Sequence, residues 1–280
     1  MAFASNPAFR PTEIVRFVRS RDTAAGTLIV ETDAGLGYLK ALGNPDGPHA
    51  LVKELIGTHL AALIGLPTFD YAIVNVEPID ELPFFRAGSA QPGPAFVTRS
   101  EHGVTWSDDP RLLDQIDNPE AISGLVAVDT WLRNTDRYFP PHNRVNWDNV
   151  FFSSESGVGL LSLRAMDFSH CVRYGGELTK RVLSIGEIKD PSVFGLFPDF
   201  RKRIKRDAVR QFASTIRAVS RTQIADAVAL VPGEWYLSRD VRDALIDFLV
   251  RRAEYVAETI ESNLFGAEQL RLDLPDGGDE

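Results

Sequence analysis

The first hundred residues alternate between apolar and polar positions, a pattern that is typical of β-strands. Short turns containing Gly or Asp separate the first three apolar stretches, which predicts an antiparallel meander. A stretch rich in Pro and Gly, from 78 to 94, then separates two further short strands. The predicted strands cover residues 14–18, 27–32, 36–42, 71–76 and 95–99.

Residues 49–65 change to a helical period, with a broad apolar face that includes Leu51, Leu55 and Leu60. The opposite face holds small residues and one carboxylate, Glu54. Small residues allow other elements to cover this face closely, so a carboxylate there needs a cationic partner. Lys40, on the preceding strand, is the candidate. The alternatives are a solvated Glu54 beside Lys53 and a Lys40 that reaches water from an edge strand.

The remaining chain is mainly helical in pattern. Helical segments are expected within 110–131, 207–231 and 238–265, with Pro232-Gly233 as a break and Ser238 in the place of an N-cap. Two features in this region have two readings. Asp129 either orients the following loop or lies on the surface, and the basic run Arg201–Arg206 is either a solvated helix end or a docking patch for an acidic substrate.

The change near residue 100 predicts an α+β protein of two lobes. An antiparallel sheet with one helix is expected over 1–99 and a mainly helical lobe over 100–270. The polar stretch 271–280 is expected to be a disordered acidic tail.

Composition restricts the partners and the compartment. A net charge of -9 argues against binding nucleic acid through a general electrostatic footprint. The single cysteine, Cys171, allows no intramolecular disulfide, so a reducing compartment is expected. The sequence has neither a secretory signal nor an apolar run of the roughly 18 residues needed to span a bilayer. A cytoplasmic protein without membrane contact is therefore predicted.

Three side chains with oxygen ligands lie next to apolar runs between residues 136 and 167. Asp136 follows a helical pattern, Asn149 opens a short strand, and Asp167 follows the next strand. A hairpin of 149–153 with 159–165 would bring Asn149 and Asp167 to the same end. Phosphoryl transfer needs such a set. Asp136 would orient or deprotonate the acceptor hydroxyl, while Asn149 and Asp167 would hold magnesium against the phosphates.

The order of these motifs resembles the HipA-like serine/threonine kinases, and more closely the short bacterial members that lack the extra N-terminal subdomain. The similarity covers roughly residues 12–175. Its most distinctive parts are Gly37–Lys40, Leu51–Leu55, Gly65–Pro67 and Asp129–Arg137.

The resemblance implies a two-lobed protein-kinase-like fold that uses ATP and Mg²⁺ to phosphorylate a hydroxyl, with Ser or Thr of a protein as the expected acceptor. An antitoxin or another regulatory partner is also implied. The turn 21–26 would cover the phosphates. The implied roles are phosphate contact for Lys40, support of Lys40 by Glu54, catalytic base for Asp136, magnesium ligands for Asn149 and Asp167, and adenine contact by the connecting strand at Val97 and Arg99.

One departure from the family pattern leaves alternatives open. The family usually places the metal-binding Asn soon after the catalytic Asp, whereas residues 137–148 intervene here. Asn143 and Asn146 are therefore alternatives to Asn149, which is preferred because it directly precedes the strand 150–152. The longer loop also allows a pseudokinase that binds nucleotide or a partner without transfer. A magnesium-dependent phosphatase or nuclease is a third reading.

Overall fold

The computed structural model describes residues 9–23, 25–107, 109–139, 144–157, 159–172 and 175–272. Its N-terminal part is an antiparallel sheet of five strands in the order β1-β2-β3-β5-β4. All five predicted strands are confirmed, with ends within two residues of the prediction. They are β1 (Ile14–Ser20), β2 (Leu28–Thr32), β3 (Gly35–Lys40), β4 (Tyr71–Val76) and β5 (Gly93–Arg99).

Helix α1 (Pro48–Leu63) crosses one face of this sheet and is buried on both of its own faces. Proline at its first position suits a helix start, because that N–H would lack a helical acceptor anyway. The helix is followed by Ile64 and then by Gly65, whose φ of +81° fits the left-handed conformation that glycine favours after a helix. The small residues of its second face therefore serve close packing, as the sequence predicts.

Strand alternation divides the apolar side chains of the sheet between two clusters. Val97 and Leu39 belong to a small cluster with Val30 and Val74 on the face away from α1. Phe96 belongs to the main core, which α1 shares with the C-terminal helices. Neighbouring residues of β5 thus point to opposite faces.

The C-terminal part is mainly helical and carries a sheet of three strands in the order β10-β9-β6. The predicted hairpin is confirmed, with Val150 paired to Ala165, so Asn149 and Met166 flank the same end of the ribbon. The elements are β6 (Gly103–Thr105), α2 (Glu120–Leu132), β7 (Tyr138–Phe139), β8 (Arg144–Val145), β9 (Val150–Ser153), β10 (Ser162–Ala165), α3 (Ile185–Ile188), α4 (Arg206–Ala218), α5 (Arg221–Ala229) and α6 (Arg239–Leu272).

The structure corrects three details of the sequence prediction. The expected break at 100–103 is shorter than predicted, because strand β6 begins at Gly103 and pairs with β9. The helical stretch 207–231 divides at Ser220, whose side chain and Gln223 form a capping box for α5. Helix α6 reaches Leu272, so residues 271 and 272 are helical, while residues 273–280 of the predicted tail lie outside the described residues.

Candidate active site

A cavity of about 230 Å³ lies where the sheet, α1 and the β9-β10 hairpin meet. Of the predicted site residues, Lys40, Glu54, Asn149 and Asp167 line it, as do residues of the turn after β1. The lining residues are Arg21, Asp22, Thr23, Thr27, Tyr38, Lys40, Glu54, Thr58, Phe69, Phe96, Thr98, Thr105, Asp148, Asn149, Phe151, Ala165, Met166 and Asp167.

Lys40 contacts acidic side chains on two sides of this cavity, one on α1 and one after β10. Its Nζ donates to Glu54 Oε2 at 2.7 Å and to Asp167 Oδ1 at 3.1 Å. The edge-strand reading of Lys40 is wrong, because β3 lies between β2 and β5 inside the sheet. The solvated reading of Glu54 is also wrong, because only 3% of the residue is exposed. Three residues that are far apart in sequence thus form one buried ion cluster.

Burial and the neighbouring charges shift the pKa values of this cluster. Burial lowers the pKa of Lys40, but the charges of Asp167 and Glu54 raise it by a larger amount. The resulting pKa lies above the ordinary value for lysine. Burial raises the pKa of Asp167, yet Lys40 and the Ser169 hydroxyl lower it more strongly, and the net pKa lies below its ordinary value. Burial also raises the pKa of Glu54, and here it outweighs Lys40. One ammonium faces two carboxylates, so a further cation is electrostatically favoured beside them.

Asp136 is buried next to the cavity and is held by two asparagines. Its Oδ2 accepts hydrogen bonds from Nδ2 of Asn149 at 2.9 Å and of Asn146 at 3.1 Å, and His170 Nδ1 lies 3.6 Å away. Because Asn149 turns its amide nitrogen toward Asp136, its amide oxygen faces elsewhere. Asn146 and Asn149 therefore both contact Asp136 through their amide nitrogens. Asn143 lies outside the described residues.

Arg137 fixes the loop that carries Asp136, and the sequence analysis gave it no role. The side chain is fully buried, and its Nε donates to Asp129 Oδ2 at 2.7 Å. The same guanidinium donates to the carbonyls of Asn149 and of Met166, the latter at 2.8 Å. One side chain thus joins α2 to the residues that precede β9 and follow β10. Asp129 orients the loop, and its surface reading is wrong.

Asn134 is a second positioning residue that the sequence analysis missed. Its Nδ2 donates to Asp129 Oδ1 at 3.2 Å and to the carbonyl of Asp167 at 3.3 Å, while its Oδ1 accepts the N–H of Asp136 at 3.3 Å. The run Asn-Thr-Asp-Arg was the available signal, because each polar residue in it has a buried partner. Loop sequences give no periodicity from which such burial can be read.

Phe168 seats Asp167 against α1. The backbone of Phe168 lies close enough to Glu54 to lower the pKa of that carboxyl, and the Phe168 ring packs on Gly57. A Cβ atom at position 57 would lie 2.4 Å from the Cβ of Phe168, so glycine is required for this contact. Asp167 itself has a φ of +57°, a conformation that is uncommon outside glycine and recurs at functional sites. Ser169 Oγ donates to Asp167 Oδ1 at 2.6 Å.

The structure does not bring Val97 and Arg99 to the described lining of the cavity. Val97 points to the outer face of the sheet, as the alternation of β5 requires, so Phe96 and Thr98 line the cavity instead. The side chain of Arg99 lies in an ion cluster with Asp70 at 3.3 Å, with Glu101 at 3.3 Å and with Glu155 at 2.8 Å.

The basic run Arg201–Arg206 forms contacts within the chain. Arg203 pairs with Asp114 at 2.6 Å, and Arg206 pairs with Glu261 at 3.3 Å. Two of the charges in this run therefore stabilise the C-terminal helical part, which leaves less of the run for a docking patch.

The donor set suits a hard cation. Asp167 keeps 25% of its side-chain surface exposed and lines the cavity together with Asn149. Carboxylate and amide oxygens are ligands that Mg²⁺ accepts, and this ion commonly retains several waters. Among the described residues, no group of three or more His, Cys, Asp or Glu is arranged to hold a metal. Asp167 and Asn149 are thus the residues of this cavity that could hold such a cation.

Sequence comparison assigns the chain to a family. The model of the HipA-like kinases matches residues 19–167, which is more than half of the chain and includes every predicted site residue. The chain belongs to the HipA-like kinase family. No curated protein matches it.

A solved structure supports the kinase-like fold. This HipA-like kinase is similar to the crystal structure of the Helicobacter pylori proinflammatory kinase CtkA, with a TM-score of 0.53 and 13% sequence identity. The alignment covers 95% of this chain and 100% of that chain. The α+β, two-lobed protein-kinase-like prediction is thereby confirmed. Across the part of the chain that the structure describes, the helices are too short or too polar to span a bilayer.

Proposed function

We propose that this HipA-like kinase uses ATP and Mg²⁺ to phosphorylate a hydroxyl, with Ser or Thr of a protein as the acceptor. The observation that carries the proposal is the contact of Lys40 with both Glu54 and Asp167 beside a cavity. In protein kinases a strand lysine paired with a helix glutamate positions the nucleotide phosphates, and an Asp and an Asn hold magnesium. The cleft would lie between an N-lobe of residues 1–99 and a C-lobe of residues 100–270.

Each site residue has a role that its contacts favour. Glu54 would hold Lys40 toward the phosphates, and Arg21 and Thr23 would cover them from the turn after β1. Asp167 and the amide oxygen of Asn149 would hold magnesium. Bound there, magnesium would neutralise charge on the phosphate oxygens. The adenine ring would lie against the phenylalanines of the lining, where a flat ring gains stacking contacts. The side chains of Phe96 and Thr98 would contact it, beside the backbone contacts predicted for Val97 and Arg99.

Asp136 would act on the acceptor. The acceptor hydroxyl transfers its proton to the Asp136 carboxylate while its oxygen bonds to the γ-phosphorus. The bond from that phosphorus to its bridging oxygen breaks, and ADP leaves. The amides of Asn146 and Asn149 hold the carboxylate in one orientation, which lowers the entropic cost of reaching the reactive geometry.

A protein acceptor and a cytoplasmic location belong to the same proposal. Cys171 is buried, and burial raises the pKa of its thiol well above the ordinary value. Such a thiol is unreactive, so the fold does not depend on disulfide formation in an oxidising compartment. Family membership favours a protein substrate and a regulatory partner such as an antitoxin. The net charge of -9 favours a protein over a nucleic acid.

The proposal is tested by incubating the purified protein with γ-labelled ATP and Mg²⁺, alone and with cell extract. Label is expected on the protein itself or on an extract protein. We expect Asp136→Ala and Asp136→Asn to lower transfer by about 10²- to 10⁴-fold, because a positioned base is lost. The matched control is Asp207→Ala, a change on α4 of a side chain that is 98% exposed.

Three results would contradict the proposal. Full transfer by both Asp136 variants would remove the role assigned to Asp136. If the wild-type protein transfers no label although ATP raises its melting temperature, the protein is a pseudokinase, and the stretch between Asp136 and Asn149 is the first place to look for the cause. Hydrolysis of a phosphoester without nucleotide would favour the phosphatase reading.

A further inference from the structure

Lys53 is a buried lysine next to Glu54 that has no role in the site described above. Only 3% of the residue is exposed, and its Nζ donates to the carbonyl of Gly176 at 3.0 Å and to that of Gly175 at 3.3 Å. A buried ammonium is costly unless its protons are used in hydrogen bonds. The fold therefore retains a costly group in order to hold two carbonyls of the chain that follows Asp167.

His49 holds the same stretch one helical turn earlier. Its Nδ1 accepts the N–H of Leu178 at 2.8 Å, so that nitrogen carries no proton, and its Nε2 faces the carbonyl of Tyr236 at 3.4 Å. Residues four apart on a helix share a face. His49 and Lys53 thus form one anchoring edge on α1.

Glu54 and Gly57 anchor the beginning of the same segment, which we define as the described residues 168–172 and 175–178. The Phe168 ring packs on Gly57 and fits only because residue 57 is glycine, and the Phe168 backbone lies beside the Glu54 carboxyl. The segment that starts one residue after Asp167 is therefore attached to α1 at both of its ends. The helix that holds Lys40 through Glu54 also holds this segment.

We propose that Lys53, with His49, is a positioning residue that couples this segment to the Lys40, Glu54 and Asp167 cluster. Releasing residues 175–178 from α1 would then loosen Phe168 and the ion cluster, although Lys53 itself does not line the cavity. The consequence for catalysis rests on the proposed function, but the coupling is a property of the protein without nucleotide. A partner or ligand that displaced 175–178 could change the phosphate-binding cluster in this way.

Hydrogen exchange and lysine labelling of the protein without nucleotide test the coupling. We expect Lys53→Met to speed exchange at residues 175–178 and also at Phe168, and to raise acylation of Lys40 by an amine-reactive reagent several-fold. Amides of α2 provide the internal reference for global unfolding. Lys180→Met is the matched control, because Lys180 lies just beyond the segment, is 63% exposed and pairs with an exposed Asp240.

Gly176→Ala tests the same contact from the segment and does not disturb the core. Gly176 has a φ of +68°, and a Cβ atom there would meet nothing within 4 Å, so only the backbone conformation is strained. We expect the same direction of change at Phe168 and Lys40, with a smaller size. If Lys53→Met fails to fold, this variant decides.

The coupling is overturned if exchange rises at 175–178 while Phe168 exchange and Lys40 labelling match the wild type. That result would make Lys53 a local anchor only. Phosphoryl transfer by the wild-type protein is measured separately. Its absence would count against the proposed function, while exchange and labelling would still decide the coupling.

Discussion

At the scale of single residues, the site depends on buried charges that each have several partners. Arg137 is the clearest case, because one guanidinium contacts the Asp129 carboxylate and the carbonyls that flank the β9-β10 hairpin. A buried ion pair contributes little net stability compared with apolar residues, but removing one partner leaves an uncompensated charge. Arg137 is thus retained for the positions that it fixes.

We expect Arg137→Met to lower the free energy of unfolding by about 3–5 kcal/mol, because the buried Asp129 loses its cationic partner. Denaturant unfolding followed by fluorescence measures the change. Arg111→Met is the matched control, since Arg111 is 83% exposed and pairs with Asp109 at the surface, and its unfolding curve is expected to match the wild type. Equal stability of both variants would show that Asp129 is not dependent on Arg137.

Some residues of the site could be predicted from the sequence, whereas the buried loop residue Arg137 could not. It could be predicted that Lys40 and Glu54 pair, because they are opposite charges on neighbouring elements with a clear period. It could also be predicted that Asn149 and Asp167 lie close together, because they flank the same end of one hairpin. Arg137 lies in a loop, where burial leaves no periodic signal. Val97 was predicted to contact adenine through the backbone of the connecting strand, and this stays a prediction; the alternation of β5 turns its side chain to the other face of the sheet.

At the scale of elements, α1 determines the site, because it holds Lys40 on one side and the segment after Asp167 on the other. Its period and its small-residue face could be predicted from sequence, since both are local. Lys40 could also be predicted as the partner of Glu54, but the contacts with Phe168 and Gly176 could not, because these residues are more than a hundred positions away. Strand β6 was missed for the same reason, as three residues become a strand only by pairing with β9.

The pH dependence of stability tests how α1 holds its neighbours. Burial lowers the pKa of His49, opposed by the carbonyl of Tyr236 and by Glu177, while Lys53 lowers it further. The unfolded chain therefore takes up a proton near the ordinary pKa of about 6.5, and the folded chain does so only at lower pH. The stability that the neutral, buried His49 contributes is therefore present above about pH 6.5 and is lost as the pH falls below this value.

We expect His49→Gln to lose less unfolding free energy than the wild type between pH 7 and pH 5, because the substituted side chain has no proton to gain. Chemical denaturation at a series of pH values measures this slope. His102→Gln replaces an exposed histidine and is expected to keep the wild-type slope. A His49→Gln slope equal to that of the wild type would contradict a buried, neutral His49.

At the scale of the whole molecule, the acidic character of the chain extends into the cavity. The chain has a net charge of -9, and the described lining sets Arg21 and Lys40 beside the carboxylates of Asp22, Glu54, Asp148 and Asp167. Under the proposed function, a polyphosphate would therefore need magnesium as well as Lys40 to balance its charge in the cavity. The order of the motifs along the chain, and the family resemblance that this order has, were sufficient to predict the kinase-like architecture.

The central claim is that Lys40 binds nucleotide phosphates, and calorimetric titration with ATP and with adenosine tests it most directly. In the presence of Mg²⁺, Lys40→Ala is expected to weaken ATP binding by about 10- to 100-fold, a loss typical of a charged hydrogen bond, while adenosine binds as it does to the wild type. The account would be contradicted if Lys40→Ala weakened both ligands equally, or if ATP affinity did not change.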